Sequence, residues 1–244
     1  MSTERRDVSP NNLSPEIGAV IFDYGQVLAH RPPAEEFERM AKMFNVSFES
    51  FCELWETSRG TYDRGDFTPE EYWLKMAAQT NTSLDGEQIE TLRQVEIEIW
   101  LHTDPDMLDW VGRLGAAGIK TGLLSNMPWD LLKYLRANCK WLENFTFKTF
   151  SAEVGLIKPD PAIYEHTLRG LGVAAAETLF VDDRDPNIQA ARTLGMRAIQ
   201  FQSVAQLRAE LTEFGFPILP RAARSDSEAS GAIANTLSPE GDRS

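Results

Sequence analysis

The rhythm of apolar and polar positions changes twice along the chain. Residues 19–22 (AVIF) form a compact apolar run that is β-branched at two positions, which predicts a short strand buried on both faces. From residue 33 to residue 101 no such run recurs. Apolar positions there repeat at helical spacing, as in Phe37, Met40, Ala41 and Phe44. Helices are predicted over PAEEFERMAKMF, SFESFCELWETS, TPEEYWLKMAAQ and GEQIETLRQVEIEIWL. Thr68, followed by Pro69 and two glutamates, reads as an N-cap with proline at the first helical position.

From residue 104 the pattern alternates. DPDMLDWVGRLGAAG is a helix ending at a glycine, IKTGLL a strand, PWDLLKYLRANC a helix and FKTFS a short strand. PDPAIYEHTLRGLG is a helix closed by Gly172, ETLFV a strand, DPNIQAARTLG a helix, RAIQF a strand and SVAQLRAELTEF a last helix. Regular alternation implies right-handed crossovers and a parallel sheet. The expected fold is therefore α/β: a Rossmann-like parallel sheet with helices on both faces, built from residues 17–30 and 102–216. An α-helical bundle over residues 31–101 is inserted after the first strand. Residues 1–16 read as a flexible arm. Residues 217–244 lack apolar periodicity, are rich in Ser, Ala and Gly, and read as a disordered tail.

Composition narrows the partners. The 244 residues carry a formal net charge of -13, which argues against broad nucleic-acid binding, since phosphate backbones need clustered Lys and Arg. No apolar run approaches a membrane span, and the N-terminus has no apolar signal core. The cysteines, Cys52 and Cys139, lack metal-type spacing and suit a reduced cytoplasm. With three histidines and no HxH or HExxH pattern, a histidine-based zinc site is disfavoured.

Candidate chemistry sits where the predicted strands end. Asp23 follows AVIF, and Gly25 two positions on lets the backbone turn toward a ligand. A carboxylate there can ligate Mg²⁺ with one oxygen and attack phosphorus with the other; in isolation it is more simply a loop cap. Ser125 and Asn126 follow IKTGLL, and a hydroxyl with free N–H groups at a helix start cradles an anion; alone, Ser-Asn is better read as an N-cap. Lys158, before Pro-Asp-Pro, can hold a phosphoryl group or simply face water. Asp182 and Asp183 close LFV; two adjacent carboxylates are costly without a cation, and all-oxygen ligation suits Mg²⁺. Asn187 can orient that loop or face solvent. Each motif is weak by itself. In an open parallel sheet all of them would line one crevice, and in that order and strand context the functional reading prevails.

This set resembles the haloacid dehalogenase superfamily, mostly phosphatases, over residues 17–212. The helical insertion is similar to the cap of the subfamily that includes sugar-phosphate phosphatases and the N-terminal phosphatase domain of epoxide hydrolase. The resemblance implies Asp23 as nucleophile, Ser125 and Asn126 as phosphoryl-binding groups and Lys158 as the charge-neutralising lysine. It implies Mg²⁺ held by Asp23, Asp182 and the Gly25 carbonyl, with Asp183 supporting the metal or the lysine.

The chain departs from the family pattern in one place. Most phosphatases of that superfamily carry a second Asp two residues after the nucleophile, which protonates the leaving group; here Asp23-Tyr24-Gly25-Gln26-Val27 puts Gly25 at that position. General acid help of about 10²–10⁴ in rate is lost. The leaving group can then be a better one, as in sugar 1-phosphates, acyl phosphates or aryl phosphates. Alternatively His30 or Gln26 supplies or positions the proton, although an exposed linker histidine is the simpler reading of His30. The leading expectation is a Mg²⁺-dependent phosphomonoester hydrolase acting through an aspartyl-phosphate on a small phosphorylated metabolite such as a sugar phosphate. It is expected to be cytoplasmic and a monomer or homodimer. The alternatives are a 2-haloacid dehalogenase and a catalytically impaired phosphate-binding module. Retention of Asp182-Asp183 favours phosphate and metal over halide.

In the insertion, SRGTYDRGDF reads as a loop whose Arg59, Tyr62 and Arg64 either contact substrate or form a solvated turn. Phe48, Phe51, Trp55, Tyr72, Trp73 and Trp100 sit at helical spacing and read mostly as core. Trp129, just past Ser-Asn, is expected to line the site.

Overall fold

The computed structural model describes residues 16–222. The sheet is built from β1 (Ala19–Phe22), β2 (Lys120–Ser125), β3 (Phe147–Phe150), β4 (Thr178–Asp182) and β5 (Arg197–Gln200). All pairings are parallel, in the order β3-β2-β1-β4-β5. β1 is thus central, with β2 on one side and β4 on the other. The chain direction reverses its winding there, and such a switch point opens a crevice at the carboxyl ends of the strands.

Alternation along β1 divides the core in two. Val20 and Phe22 pack on one face with Trp110, Leu123 and Val181. Ala19 and Ile21 pack on the other with Ile163, Tyr164 and Phe180. Covering the sheet are α5 (Pro105–Ala116), α6 (Trp129–Asn138), a single turn α7 (Ser151–Val154), α8 (Pro161–Leu171), α9 (Asp185–Thr193) and α10 (Val204–Glu213). Gly172 ends α8 at φ 61, the left-handed conformation that favours glycine at a helix end.

The insertion is a separate bundle of α1 (Ala34–Met43), α2 (Phe48–Asp63), α3 (Pro69–Gln79) and α4 (Gly86–Glu98). Its core of Phe44, Phe51, Trp73 and Met76 is its own. Thr68 caps α3 as expected, its side chain accepting from Glu71 N at 3.2 Å while Glu71 reaches back to Thr68 N at 2.8 Å.

Two boundaries differ from the sequence reading. The stretch read as the loop SRGTYDRGDF is helical through Asp63, because Tyr62 is buried and stacks on Tyr72 at 3.9 Å. Second, the core does not stop at residue 216. Trp110 Nε1 donates to Ile218 O at 2.7 Å, Arg113 Nη2 donates to Leu219 O at 2.9 Å, and Pro220 is buried. Side chains of α5 and α10, not neighbouring backbone, bond the carbonyls of Ile218, Leu219 and Pro220, so the segment is held without helical or strand periodicity. The remainder of the expected tail and residues 1–15 of the expected arm lie outside the described residues.

Candidate active site

Three strand ends deliver the predicted groups to one place. Asp23 follows β1 and its N–H donates to Val181 O at 2.9 Å, so it sits level with the end of β4. Ser125 is the last residue of β2 and Asp182 the last of β4. Asp23, Ser125, Lys158 and Asp182 are all buried.

Lys158 is the hub. Its Nζ lies 2.8 Å from Asp23 Oδ1 and 2.7 Å from Asp182 Oδ2. Asn126 fixes its backbone from both sides: Asn126 Oδ1 accepts from Lys158 N at 2.9 Å, and Nδ2 donates to Lys158 O at 3.0 Å. The Asn126 side-chain amide thus aims the lysine, and the residue also lines the cavity beside Ser125. Ser125 keeps only a long 3.5 Å contact to Asn126 O and lines the cavity.

The two adjacent aspartates divide their labour. Asp182 is enclosed by donors: Lys158 Nζ and Asn187 Nδ2 on Oδ2, and Arg184 N with Asn187 Nδ2 on Oδ1. Asn187 thus orients the aspartate, one of the two roles left open for it. Asp183 is half-buried and accepts from Gln26 Nε2 at 2.8 Å. Gln26 has φ 58, a backbone conformation that favours glycine; its side chain holds Asp183 and the residue also lines the cavity above the site.

Carboxylate oxygens of Asp23, Asp182 and Asp183 lie within 4.8 Å of one another. Three carboxylates face one ammonium there, leaving two negative charges unmatched in a largely buried site. That donor set is all oxygen and its excess charge fits a divalent cation such as Mg²⁺. Its electrostatics agree. Burial pushes the Asp23 carboxyl up to about 7, with Lys158 opposing and Asp182 and Asp183 adding to the rise. Asp183 is raised to about 6, again by burial first, then by Asp182. Burial pulls the Lys158 ammonium down, but the charges of Asp182 and Asp23 outweigh it and the net shift is upward.

Between core and insertion lies a cavity of about 540 Å³, lined by Asp23, Gly25, Ser125, Lys158 and Asp183 from below. Its roof comes from the insertion. Phe37, Phe48, Trp55 and Trp100 face it, and so do Arg31 and Arg59. Arg59 is no solvated loop residue. It pairs with Asp63 at 2.7 Å and with the buried Glu96, and its guanidinium lies 4.5 Å from the centroid of the Trp55 ring. Burial raises the Asp63 and Glu96 carboxyls, and Arg59 opposes both shifts. Arg93 Nε to Asp130 at 2.7 Å and an ion pair between Arg184 and Glu56 tie insertion to core.

Not every predicted residue reaches the cavity. Arg64 pairs with Asp66 and lies outside the cavity lining. His30 is exposed, is also outside that lining, and uses its backbone N–H on His102 O at 2.7 Å. Trp129 borders a second cleft with Gly65 and Phe67, where it buttresses the turn after α2. Trp100, read as core, and Arg31, not considered, are among the wall residues that escaped the sequence reading. Neither lies at a strand end or in a turn motif, so no local signal marked them.

A parallel sheet with an aspartate past its central strand, a lysine clasped to it and a helical cap defines a class of capped hydrolases. The chain belongs to the haloacid dehalogenase-like hydrolase family, whose model matches residues 17–195. It is 31% identical over 179 residues to the sesquiterpene phosphatase astK of Aspergillus oryzae, covering 73% of this chain and 86% of that protein. It is 24% identical over 202 residues to the D-ribitol-5-phosphate phosphatase of Bacteroides thetaiotaomicron, covering 79% of this chain and 96% of that one. A haloacid dehalogenase family enzyme of the same bacterium, solved with magnesium and inorganic phosphate, shares the fold. Its TM-score is 0.61 at 21% identity, over 76% of this chain and 94% of that chain. The chain is therefore a hydrolase with named phosphatases among its relatives. Among the described residues, no helix is long and apolar enough to cross a membrane.

Proposed function

We propose that the chain is a Mg²⁺-dependent phosphatase that removes a terminal phosphoryl group from a small metabolite through an aspartyl-phosphate on Asp23. The observation that carries this reading is the lysine hub: Lys158 Nζ stands 2.8 Å from Asp23 Oδ1, at the floor of the cavity between core and insertion. An ammonium there holds the nucleophile in place and neutralises an incoming phosphoryl group, so that two anions can meet. The Ser125 hydroxyl, on the same floor, is positioned to donate to a phosphoryl oxygen.

Asp23, Asp183 and the Gly25 carbonyl are the groups that would hold the metal. Asp182, whose oxygens already accept from Lys158, Asn187 and the Arg184 N–H, serves chiefly to position the lysine. Bound Mg²⁺ would supply charge neutralisation at the phosphoryl oxygens. Asp23 attacks phosphorus, the bond to the leaving oxygen breaks, and water then cleaves the Asp23 acyl phosphate to free phosphate. The acidic trio argues against a dehalogenase, which has no use for a cation site, and the phosphatases among the relatives support the same reading.

Trapping tests it. Protein quenched in acid during turnover of p-nitrophenyl phosphate and reduced with borohydride should carry the mark of an acyl phosphate at Asp23 and at no other carboxylate. An unmodified Asp23 during steady turnover would refute the covalent route.

A further inference from the structure

We propose that the substrate of this site is a diphosphate ester of an apolar alcohol, cleaved between its two phosphorus centres, with Arg31 holding the inner phosphoryl group that departs. This deepens the phosphatase reading and rests on it.

The first ground is what occupies the place of the missing acid. A Cβ on Gly25 would lie 3.2 Å from Cζ3 of Trp100. The indole stands against the first carbon of any side chain at this position, so a ring walls the place from which the usual proton donor would start. A leaving oxygen at this point receives no proton from residue 25. Alkyl alcohols are poor leaving groups without one. A phosphate monoester is not, because its conjugate acid is already ionised near neutral pH.

The second ground is a surplus cation. Arg59 is committed to Asp63 and Glu96, and Arg184 to Glu56. Arg31, exposed at its rim, lines the same cavity and makes no ion pair with any described residue. Its charge reaches the cap wall, where it opposes the rise that burial imposes on the Cys52 thiol. A guanidinium is suited to a second phosphoryl group, which it can grip with paired N–H donors. The third ground is the roof. Phe37, Phe48, Trp55 and Trp100 give an aromatic surface, and a volume of about 540 Å³ lies within the range of roughly 300–1,000 Å³ typical of small-molecule sites. Those rings suit a hydrocarbon body better than a polyol.

The step balances with water as the one co-reactant. Asp23 forms a bond to the terminal phosphorus as the bond from that phosphorus to the bridging oxygen breaks. The electron pair stays on the bridging oxygen, which leaves as part of the monophosphate ester. Water then adds to phosphorus, the Asp23–phosphorus bond breaks, and the proton lost by water leaves with inorganic phosphate.

The test measures phosphate release by the full chain with Mg²⁺ from decyl diphosphate, decyl phosphate, methyl diphosphate and p-nitrophenyl phosphate, for wild type and Arg31→Gln. The expected kcat/KM for decyl diphosphate exceeds that for decyl phosphate by about 10² or more, the scale of an absent general acid. It also exceeds that for methyl diphosphate. Arg31→Gln raises KM for decyl diphosphate about tenfold more than for p-nitrophenyl phosphate, the scale of one charge-assisted hydrogen bond. Equal rates on the two decyl esters, or an Arg31 effect of the same size on both substrates, would overturn the proposal while p-nitrophenyl phosphate turnover upheld the phosphatase reading. No release from any ester would overturn both.

Discussion

Trp100 packs its indole against Gly25: a Cβ at that glycine would sit 3.2 Å from Cζ3 of the ring. Trp100 follows the last cap helix and Gly25 follows the nucleophile, so the contact joins cap to catalytic loop. It also makes the absence of an acid at residue 25 structural as well as chemical. Gly25→Ala should destabilise the fold by about 1 kcal/mol, the low end of overpacking, since the ring must shift by a few tenths of an ångström. In a Trp100→Ala background the same change should be near neutral. Urea unfolding of the four proteins gives the coupling directly, and equal losses in both backgrounds would mean the ring does give way. For the same reason Gly25→Asp alone should not restore acid catalysis.

Gln26 and Asp183 form the second structural pair of the loop. Gln26 holds φ 58 and donates to Asp183 at 2.8 Å. Gln26→Gly should relieve backbone strain of about 1 kcal/mol yet release Asp183. The expected outcome is unchanged or higher thermal stability with Mg²⁺ binding weakened several-fold, read by calorimetric titration. Tighter binding would show that Gln26 does not position this carboxylate.

Removing the lysine should expose how the site balances charge. Lys158→Met leaves Asp23 and Asp182 buried without their cation. Breaking a buried pair from one side costs about 3–5 kcal/mol. Denaturant unfolding without metal should show that loss, and saturating Mg²⁺ should recover part of it. Full stability of the metal-free variant would contradict the hub assignment.

Metal-free protein should also lose stability as pH rises. Asp23 and Asp183 lie near 3.8 unfolded, and near 7 and 6 folded. The native state therefore binds more protons between these limits. Their contribution is full below 3.8 and lost as pH climbs through 6 and 7. Melting in EDTA should fall between pH 5 and 8, on the order of 2 kcal/mol in stability. Asp183→Asn should flatten the profile, and Mg²⁺ should do so too, since metal competes with protons for the carboxylates. A profile that rises over this range would show that the two carboxyls are ionised in the native state.

Much of this was legible in the residues alone. Short apolar runs ending in Asp23, Ser125 and Asp182 place those groups at strand ends, and a parallel sheet brings strand ends together whatever their separation in sequence. The helical cap was equally visible from its spacing. What stayed hidden depends on tertiary neighbours. Which aspartate faces the lysine is decided by Asn187 and the Arg184 N–H, not by the order of two identical residues. Trp100 repeats at helical spacing like a core residue, and only the docking of cap on core turns it toward Gly25. Residues 217–222 read as tail because side chains of α5 and α10 hold the carbonyls of Ile218, Leu219 and Pro220, a pairing with no periodic signature. Arg59 was weighed as a loop residue because it falls in a polar-aromatic stretch between two expected helices, and burial of Tyr62 carries α2 through it.

The most direct test of the central claim is the rate of phosphate release from p-nitrophenyl phosphate by wild type and Asp23→Asn, each with Mg²⁺ and with EDTA. Asparagine is nearly isosteric with aspartate, so the fold and the Lys158 contact are disturbed least. The account predicts release by wild type with Mg²⁺ alone, and a fall of at least about 10³ in the variant, the scale of losing a covalent nucleophile. Undiminished release by Asp23→Asn, or release by wild type that EDTA does not touch, would contradict it.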